Sequence, residues 1–193
     1  MTKLTAIVLT YNETEHIKEC LDSLAFADEC VIFDSYSTDN TVDLARSARA
    51  RVIQHPFENF AAQRNAALDA VAATTDWVLF VDADERVTPE LAEEIRQAIM
   101  QAQVVGYQIP RHNYIFGKLT RGAGWYPDYQ TRLLKVGKAR YENPVHEIVE
   151  LDGERGTLKH HFIHHNYKDL EHFLQKQRKY VQYDAKILYG EGI

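Results

Sequence analysis

The stretch WVLFVDADERVTPEL, residues 77–91, decides the fold. Trp77 to Val81 are apolar without a break, and Asp82 and Asp84 follow one residue apart. A short unbroken apolar run fits a strand buried on both faces, as in a parallel sheet covered by helices. Thr88 then precedes Pro89, with Glu90 in the next turn. A capping hydroxyl, a proline at the first helical position and an early acid mark a helix start. The stretch predicts a central strand ending in the two acids and a helix that begins after Arg86.

The residues upstream repeat this beat. LTAIVLT (4–10), ECVIFDS (29–35) and ARVIQH (50–55) read as strands. ETEHIKECLDSLAFA (13–27), STDNTVDLARSA (37–48) and NFAAQRNAALDAVAA (59–73) read as helices, with Ser37 or Thr38 as the cap of the second. Alternation of this kind predicts an α/β fold: a mostly parallel, Rossmann-like sheet with helices on both faces. Right-handed crossovers put the four strand ends on one edge, where such sheets bind ligands. After about residue 105 the beat breaks. GYQIPRHNYIFG, QTRLLKVG, ARYENPVHEIVEL and TLKHHFIHHN read as short strands with antiparallel or mixed pairing. Residues 169–190 read as a closing helix with Leu170, Phe173, Leu174, Tyr180, Val181 and Leu188 as its apolar stripe. With no repeat and no low-complexity linker, the expectation is one domain, 1–193, with an α/β half over 1–104 and a mixed, irregular half over 105–193.

Composition removes several function classes. A net charge of −6 with no long Lys/Arg run argues against a nucleic-acid partner, which needs a clustered basic face. Two cysteines, Cys20 and Cys30, make no disulfide framework and fit a reducing compartment. The N-terminus lacks a signal-peptide pattern, and no run approaches the roughly 20 apolar residues of a membrane span. A cytoplasmic location is the expectation.

The candidate chemistry lies at strand ends. Asp82 and Asp84, two residues apart in an extended chain, would turn to the same side, and two adjacent carboxylates repel unless a proton or cation lies between them. A hard divalent cation that also binds phosphate oxygens removes that repulsion. The other reading is a pair of exposed turn acids beside Glu85 and Arg86. Asp34 ends the second strand, where a carboxylate can accept from an imide or a ribose hydroxyl; Asp39 reads more readily as a helix cap. Thr10, Tyr11, Asn12 and Glu13 reach the same edge with polar groups and a ring suited to a base. Arg64 and Asn65 sit on an alanine-rich helix, either as solvated residues or with the arginine on a diphosphate. Asp128 is read either as a turn residue after Pro127 or as a general base. The histidines of HHFIHHN alternate between two faces, which disfavours a dedicated zinc site and leaves one of them free to join a metal on Asp84.

Taken in order, AIVLTYNE, VIFDSYSTDNT, HPFENFAAQRNAAL, WVLFVDADERVTPEL, GWYPDYQTRLLK and YENPVHE resemble the family-2 inverting glycosyltransferases, and within them the lipopolysaccharide-core β-glucosyltransferase-like branch. The resemblance covers nearly the whole chain. It implies the glycosyltransferase A fold, a UDP-sugar donor such as UDP-glucose, Mn²⁺ or Mg²⁺, and a glycan or glycolipid acceptor such as lipopolysaccharide core, with peripheral contact on the inner face of the cytoplasmic membrane left open. By position it implies that Thr10, Tyr11, Asn12, Glu13 and Asp34 hold the uridine and that Arg64 approaches the diphosphate. Asp82 would face the ribose and the metal's water shell, with Ala83 beside it in the nucleotide-sugar site, Asp84 and His164 (or His165) would lie on the metal, and Asp128 would act as general base. Gly122, Gly124 and Trp125 would form a loop near the donor sugar, and His146 and Glu147 would line the acceptor side. Two departures stand out: Tyr36 fills a position where relatives carry glycine, and the chain stops at Ile193 where members often continue with an apolar or basic tail.

Other classes fit less well. A dinucleotide dehydrogenase needs a glycine-rich turn after the first strand, and LTYNETEH has none. An aspartyl phosphatase would carry its Asp-x-Asp after the first strand, not the fourth. A non-catalytic nucleotide-sugar-binding protein, or an inactive relative of the family, is the remaining alternative.

Overall fold

The computed structural model describes residues 2–101, 103–122, 124–143, 148–178 and 181. Strands β1 (Leu4–Thr10), β2 (Glu29–Asp34), β3 (Arg51–Gln54) and β4 (Trp77–Asp82) pair in parallel in the spatial order β3-β2-β1-β4. The chain runs outward from β1 to β3 and then crosses back to β4, so the order reverses beside β1. Their shared register brings Thr10 level with Asp34 and Leu9 level with Asp82, which places the carboxyl ends on one edge.

Both faces of this sheet are covered, as the unbroken apolar strands require. Helices α1 (Ile17–Ser23), α2 (Thr41–Ser47) and α4 (Pro89–Ala98) pack Ile17, Cys20, Ala45, Leu91 and Ile95 against Ala6, Val8, Leu79 and Val81. Helix α3 (Phe60–Val71) packs Ala67, Leu68 and Val71 against Ile7, Phe33, Val78 and Phe80 on the other face. The alternation of β4 thus puts Val78, Phe80 and Asp82 toward α3. Thr88 caps α4 by accepting from Leu91 N at 3.2 Å. The cap of α2 differs from expectation. Asn40 is the N-cap with no side-chain bond, and Asp39 accepts from Thr41 N and from Thr14 N, so it ties the helix start to the loop after β1.

Most of the back half joins the same sheet. Strand β6 (Val104–Ile115) lies antiparallel to β8 (Asp128–Lys135), which lies antiparallel to β4, and β6 also pairs in parallel with β12 (Phe162–Tyr167). Strand β5 (Glu85–Val87) pairs antiparallel with β12 at the far end of the sheet, although only two residues separate it from β4. A chain that returns so soon to the opposite edge curls the sheet around its inner face. The short strand β7 (Lys118–Leu119) makes a hairpin on β6, and β11 (Glu154–Thr157) pairs with the start of β6. The stretch read as one strand over 139–151 is two, β9 (Ala139–Glu142) and β10 (Ile148–Leu151), paired antiparallel beside α3.

Residues 170–178 are helical. The expected apolar stripe is only partly packed. Phe173 meets Tyr167 edge-on at 4.9 Å, but Leu170, Leu174 and Val181 are exposed. Tyr180 and Leu188 lie outside the described residues, as do His146 and Glu147.

Candidate active site

The dyad does not act as one unit. The period of two ends at Asp82, and Ala83 and Asp84 form a turn into β5, so the two carboxylates part. Asp82 faces α3 and meets Arg64 Nη2 at 3.2 Å and Arg132 Nη2 at 2.7 Å. Arg64 is buried with its guanidinium 5.1 Å from the Phe80 ring and 5.4 Å from the Tyr141 ring. It is therefore neither a solvated helix residue nor open to a diphosphate, and Asn65 bonds the backbone of Tyr141 in both directions. Burial opposes ionisation of Asp82, but the Arg132 and Arg64 guanidinium groups outweigh it and hold the carboxyl below its ordinary value. Ala83, expected beside the ribose, is buried, and its carbonyl accepts from Arg86.

Asp84 turns the other way. Its Oδ2 lies 3.4 Å from His164 Nε2 and 3.3 Å from Lys176 Nζ. Burial opposes its ionisation too, and His164 and Lys176 outweigh that and hold the carboxyl well below the usual range. The pairing of β5 with β12 sets Glu85 opposite His164, and Asp84 O accepts from His165 N at 2.9 Å. Of the two candidate histidines, His164 points inward; His165 lies on the outer face, 6.0 Å from the Tyr114 ring.

Asp128 begins β8 opposite Arg111 of β6. Its Oδ2 accepts from Arg111 Nε at 2.8 Å and from Asn113 Nδ2 at 2.9 Å, and its Oδ1 accepts from Gln130 at 2.8 Å. Burial works against ionisation, and these donors, Asn113 first, win and keep the carboxyl below its ordinary value. Arg111 also reaches Glu85 Oε1 at 3.2 Å, and Glu85, with no exposed surface, accepts from Asp82 N at 2.9 Å. Burial, with Asp82 nearby, raises the Glu85 carboxyl. A continuous polar network thus links both acids of the dyad, His164 and Asp128 across the inner face of the curled sheet.

The strand ends on the β1 side frame a cleft of about 570 Å³, whose walls include Tyr11, Asn12, Glu13, Asp84, Lys168 and Lys176. Beside it a more apolar slot of about 390 Å³ runs between Leu9, Tyr11, Phe57, Phe60 and Gln63. Burial, with Asp84 adding, pushes the Glu13 carboxyl up to about 7. Asn12 holds the neighbouring loop: its Oδ1 accepts from Thr38 N at 2.8 Å. Asp34 departs from the reading as an open ligand contact. It has no exposed surface and accepts from Thr10 Oγ1, Ser37 N, Ser37 Oγ and Gln54 Nε2. Tyr36, at the expected glycine position, has φ +59° and an exposed ring. Gly122 and Gly124 are exposed and make no close approach, though Gly124 takes φ +82° and Gly122 O accepts from Trp125 N.

The residues fit a hard divalent cation at Asp84. The carboxylate and an inward imidazole nitrogen already face each other, and a carboxylate with water and ligand oxygens suits Mn²⁺ or Mg²⁺. Among the described residues no three His, Cys, Asp or Glu side chains form a cage, so water and ligand oxygens would fill the other positions. Sequence reasoning missed Glu85, Arg111, Asn113, Arg132 and Lys176. The first reads only as a neighbour of the dyad, and the next three sit in strand patterns where a polar residue reads as solvent-facing.

A parallel α/β half, extended by mixed strands that bring acids and an inward histidine together beside its carboxyl edge, defines a class of α/β ligand-binding domain. The chain belongs to glycosyl transferase family 2, whose model matches residues 5–149. Its fold is the glycosyltransferase A fold. LpsC of Rhizobium meliloti (strain 1021), a lipopolysaccharide core biosynthesis glycosyltransferase, is 30% identical over 169 residues, 81% of this chain and 60% of LpsC. The chain therefore spans less than two thirds of LpsC. An uncharacterized glycosyltransferase of Rickettsia felis is 28% identical over 208 residues, 100% of this chain and 72% of that protein. Among solved structures, S. aureus TarS superposes with a TM-score of 0.53 at 24% identity, over 70% of this chain and 47% of the other. A mycobacterial protein superposes at 0.57 and 17% identity, over 86% and 68%. These two likenesses bear on the fold alone.

Proposed function

We propose that the chain transfers a hexose, with glucose as the first candidate, from a UDP-sugar to a hydroxyl of a glycan or glycolipid such as lipopolysaccharide core, with inversion and with Mn²⁺ or Mg²⁺. The observation that carries this reading is the network that joins Asp84 and His164 to Asp128 through Asn113 beside an open cleft. The front half, 1–104, would hold the donor, and the back half, 105–193, the acceptor. The relationship to LpsC supports the acceptor class.

Tyr11, with Phe57 and Phe60, would cover the base in the apolar slot, and Asn12 and Glu13 would face the nucleotide. Asp84 and His164 would hold the metal, which supplies charge stabilisation to the departing diphosphate when bound. Asp128 is ionised at neutral pH and takes the proton from the acceptor hydroxyl, which attacks the anomeric carbon from the face opposite the diphosphate. Arg111, Asn113 and Gln130 keep this carboxylate in one orientation as it changes charge. Asp82, paired with the buried Arg64 and with Arg132, stiffens the end of β4.

A screen of UDP- and ADP-sugars with Mn²⁺, read by donor hydrolysis and by transfer to lipopolysaccharide core, tests the reading. Turnover with a UDP-hexose is expected, and Asp128→Asn should keep UDP binding and lose transfer. Normal turnover by that variant would remove Asp128 from the base role. Donor binding with neither hydrolysis nor transfer would favour a nucleotide-sugar-binding protein.

A further inference from the structure

We infer that Asn113 is a positioning residue that sets both ends of the reaction. Its one amide fixes which ring nitrogen His164 presents to Asp84 and fixes the orientation of Asp128. This rests on the roles proposed above for those three residues.

Asn113 is fully buried in β6, with His164 of β12 as its register partner. Asp128 starts β8 on the other side of β6, opposite Arg111. The Asn113 Nδ2 group donates to Asp128 Oδ2 at 2.9 Å and to the Trp125 carbonyl at 3.1 Å. Both are pure acceptors while Asp128 is ionised, so turning the amide over would set its oxygen against two oxygens. The amide therefore has one chemically allowed orientation. Its Oδ1 then faces His164 Nδ1 at 2.6 Å, and that nitrogen must carry the proton. In the neutral ring the lone pair is left on Nε2, 3.4 Å from Asp84 Oδ2. A lone pair and a carboxylate turned toward each other need a proton or a metal cation between them. A histidine whose far nitrogen donates to a fixed acceptor is the usual arrangement of a metal ligand. The same amide holds Trp125, and so ties the Gly122–Trp125 loop to the site.

A buried asparagine that merely satisfies its neighbours would affect stability without choosing the tautomer. The deciding measurement is the long-range proton–nitrogen correlation pattern of the His164 ring in metal-free, ¹⁵N-labelled protein in alkaline buffer. The expected pattern is a proton on Nδ1 and none on Nε2. In Asn113→Leu the proton should move to Nε2, and Mn²⁺ affinity, read from the free-ion electron paramagnetic resonance signal, should fall about 10- to 100-fold. Asn113→Asp keeps an acceptor for Nδ1, so it should keep the parent tautomer while losing sugar transfer. A parent ring protonated on Nε2 overturns the inference, as does a folded Asn113→Leu with unchanged tautomer and unchanged Mn²⁺ affinity. The tautomer is read without metal or donor, so it stands or falls separately from the nucleotide-sugar reading, which fails if the parent binds neither UDP nor Mn²⁺.

Discussion

Glu13 lines the cleft at the end of β1 with a carboxyl that burial, with Asp84 adding, raises from 4.5 to about 7. The folded chain holds this proton more tightly than the unfolded chain does, so stability falls as pH rises from about 4.5 through about 7. Glu13→Gln keeps the shape and removes the charge. Its thermal midpoint should exceed the parent's at about pH 8 and match it at about pH 4; equal midpoints at both would mean that Glu13 ionises freely. Tyr36 gives a second test. Its φ of +59° lies in the left-handed region, which costs a side-chain-bearing residue about 1–2 kcal/mol and which asparagine tolerates better. Tyr36→Asn should raise the urea midpoint with an unchanged slope, a gain of about 1 kcal/mol; a lower midpoint would show that the ring packs against something that matters. At this scale the sequence pointed to Asp84, His164 and Asp128, and the fold brings Asp84 to His164 and ties both to Asp128 through Asn113. The sequence did not reveal Asn113 or Arg132. Both sit in alternating strands, and which face of a strand is interior depends on the curl of the whole sheet. Nor did it reveal that Asp34 and Arg64 are buried among partners, because those partners come from other elements.

Among the elements, strands β1 to β4 and their helices could be read from periodicity, because each buries a face defined by neighbours in sequence. Strand β5 could not. It is three residues long, and what makes it a strand is β12, far along the chain. That pairing is also what delivers His164 to Asp84. The helical residues 170–178 act in a similar way by bringing Lys176 to Asp84, where its ammonium lies 3.3 Å from Oδ2 and 5.5 Å from the Tyr167 ring. An ammonium there occupies the side of Asp84 that a divalent cation would approach, and the two positive charges repel. Lys176→Met should therefore tighten Mn²⁺ binding severalfold in the absence of nucleotide, measured from the free-ion signal. Weaker binding would mean that Lys176 orders the site more than it competes for it.

At the scale of the whole molecule, the donor would bridge parts of the chain that lie far apart in sequence. Tyr11, Asn12 and Glu13 follow β1, Asp84 lies between β4 and β5, and Lys168 and Lys176 come from the end of the described chain, yet all line one cleft. Five acids, Glu13, Glu15, Asp84, Asp169 and Glu171, share that cleft with two lysines, and Lys168 is held at 3.2 Å from Glu15. A diphosphate brought in alone meets an excess of negative charge. Brought in with Mn²⁺, it is neutralised at Asp84 and can pair with Lys176. Ligands that bind only the folded state stabilise it by mass action, about 2.7 kcal/mol at a hundredfold excess over the dissociation constant. UDP with Mn²⁺ should therefore raise the thermal midpoint by more than the sum of the two separate shifts, and EDTA should remove the excess. Strictly additive shifts would mean that nucleotide and cation bind independently, and the cleft would then need another account of how it accepts a diphosphate among its acids.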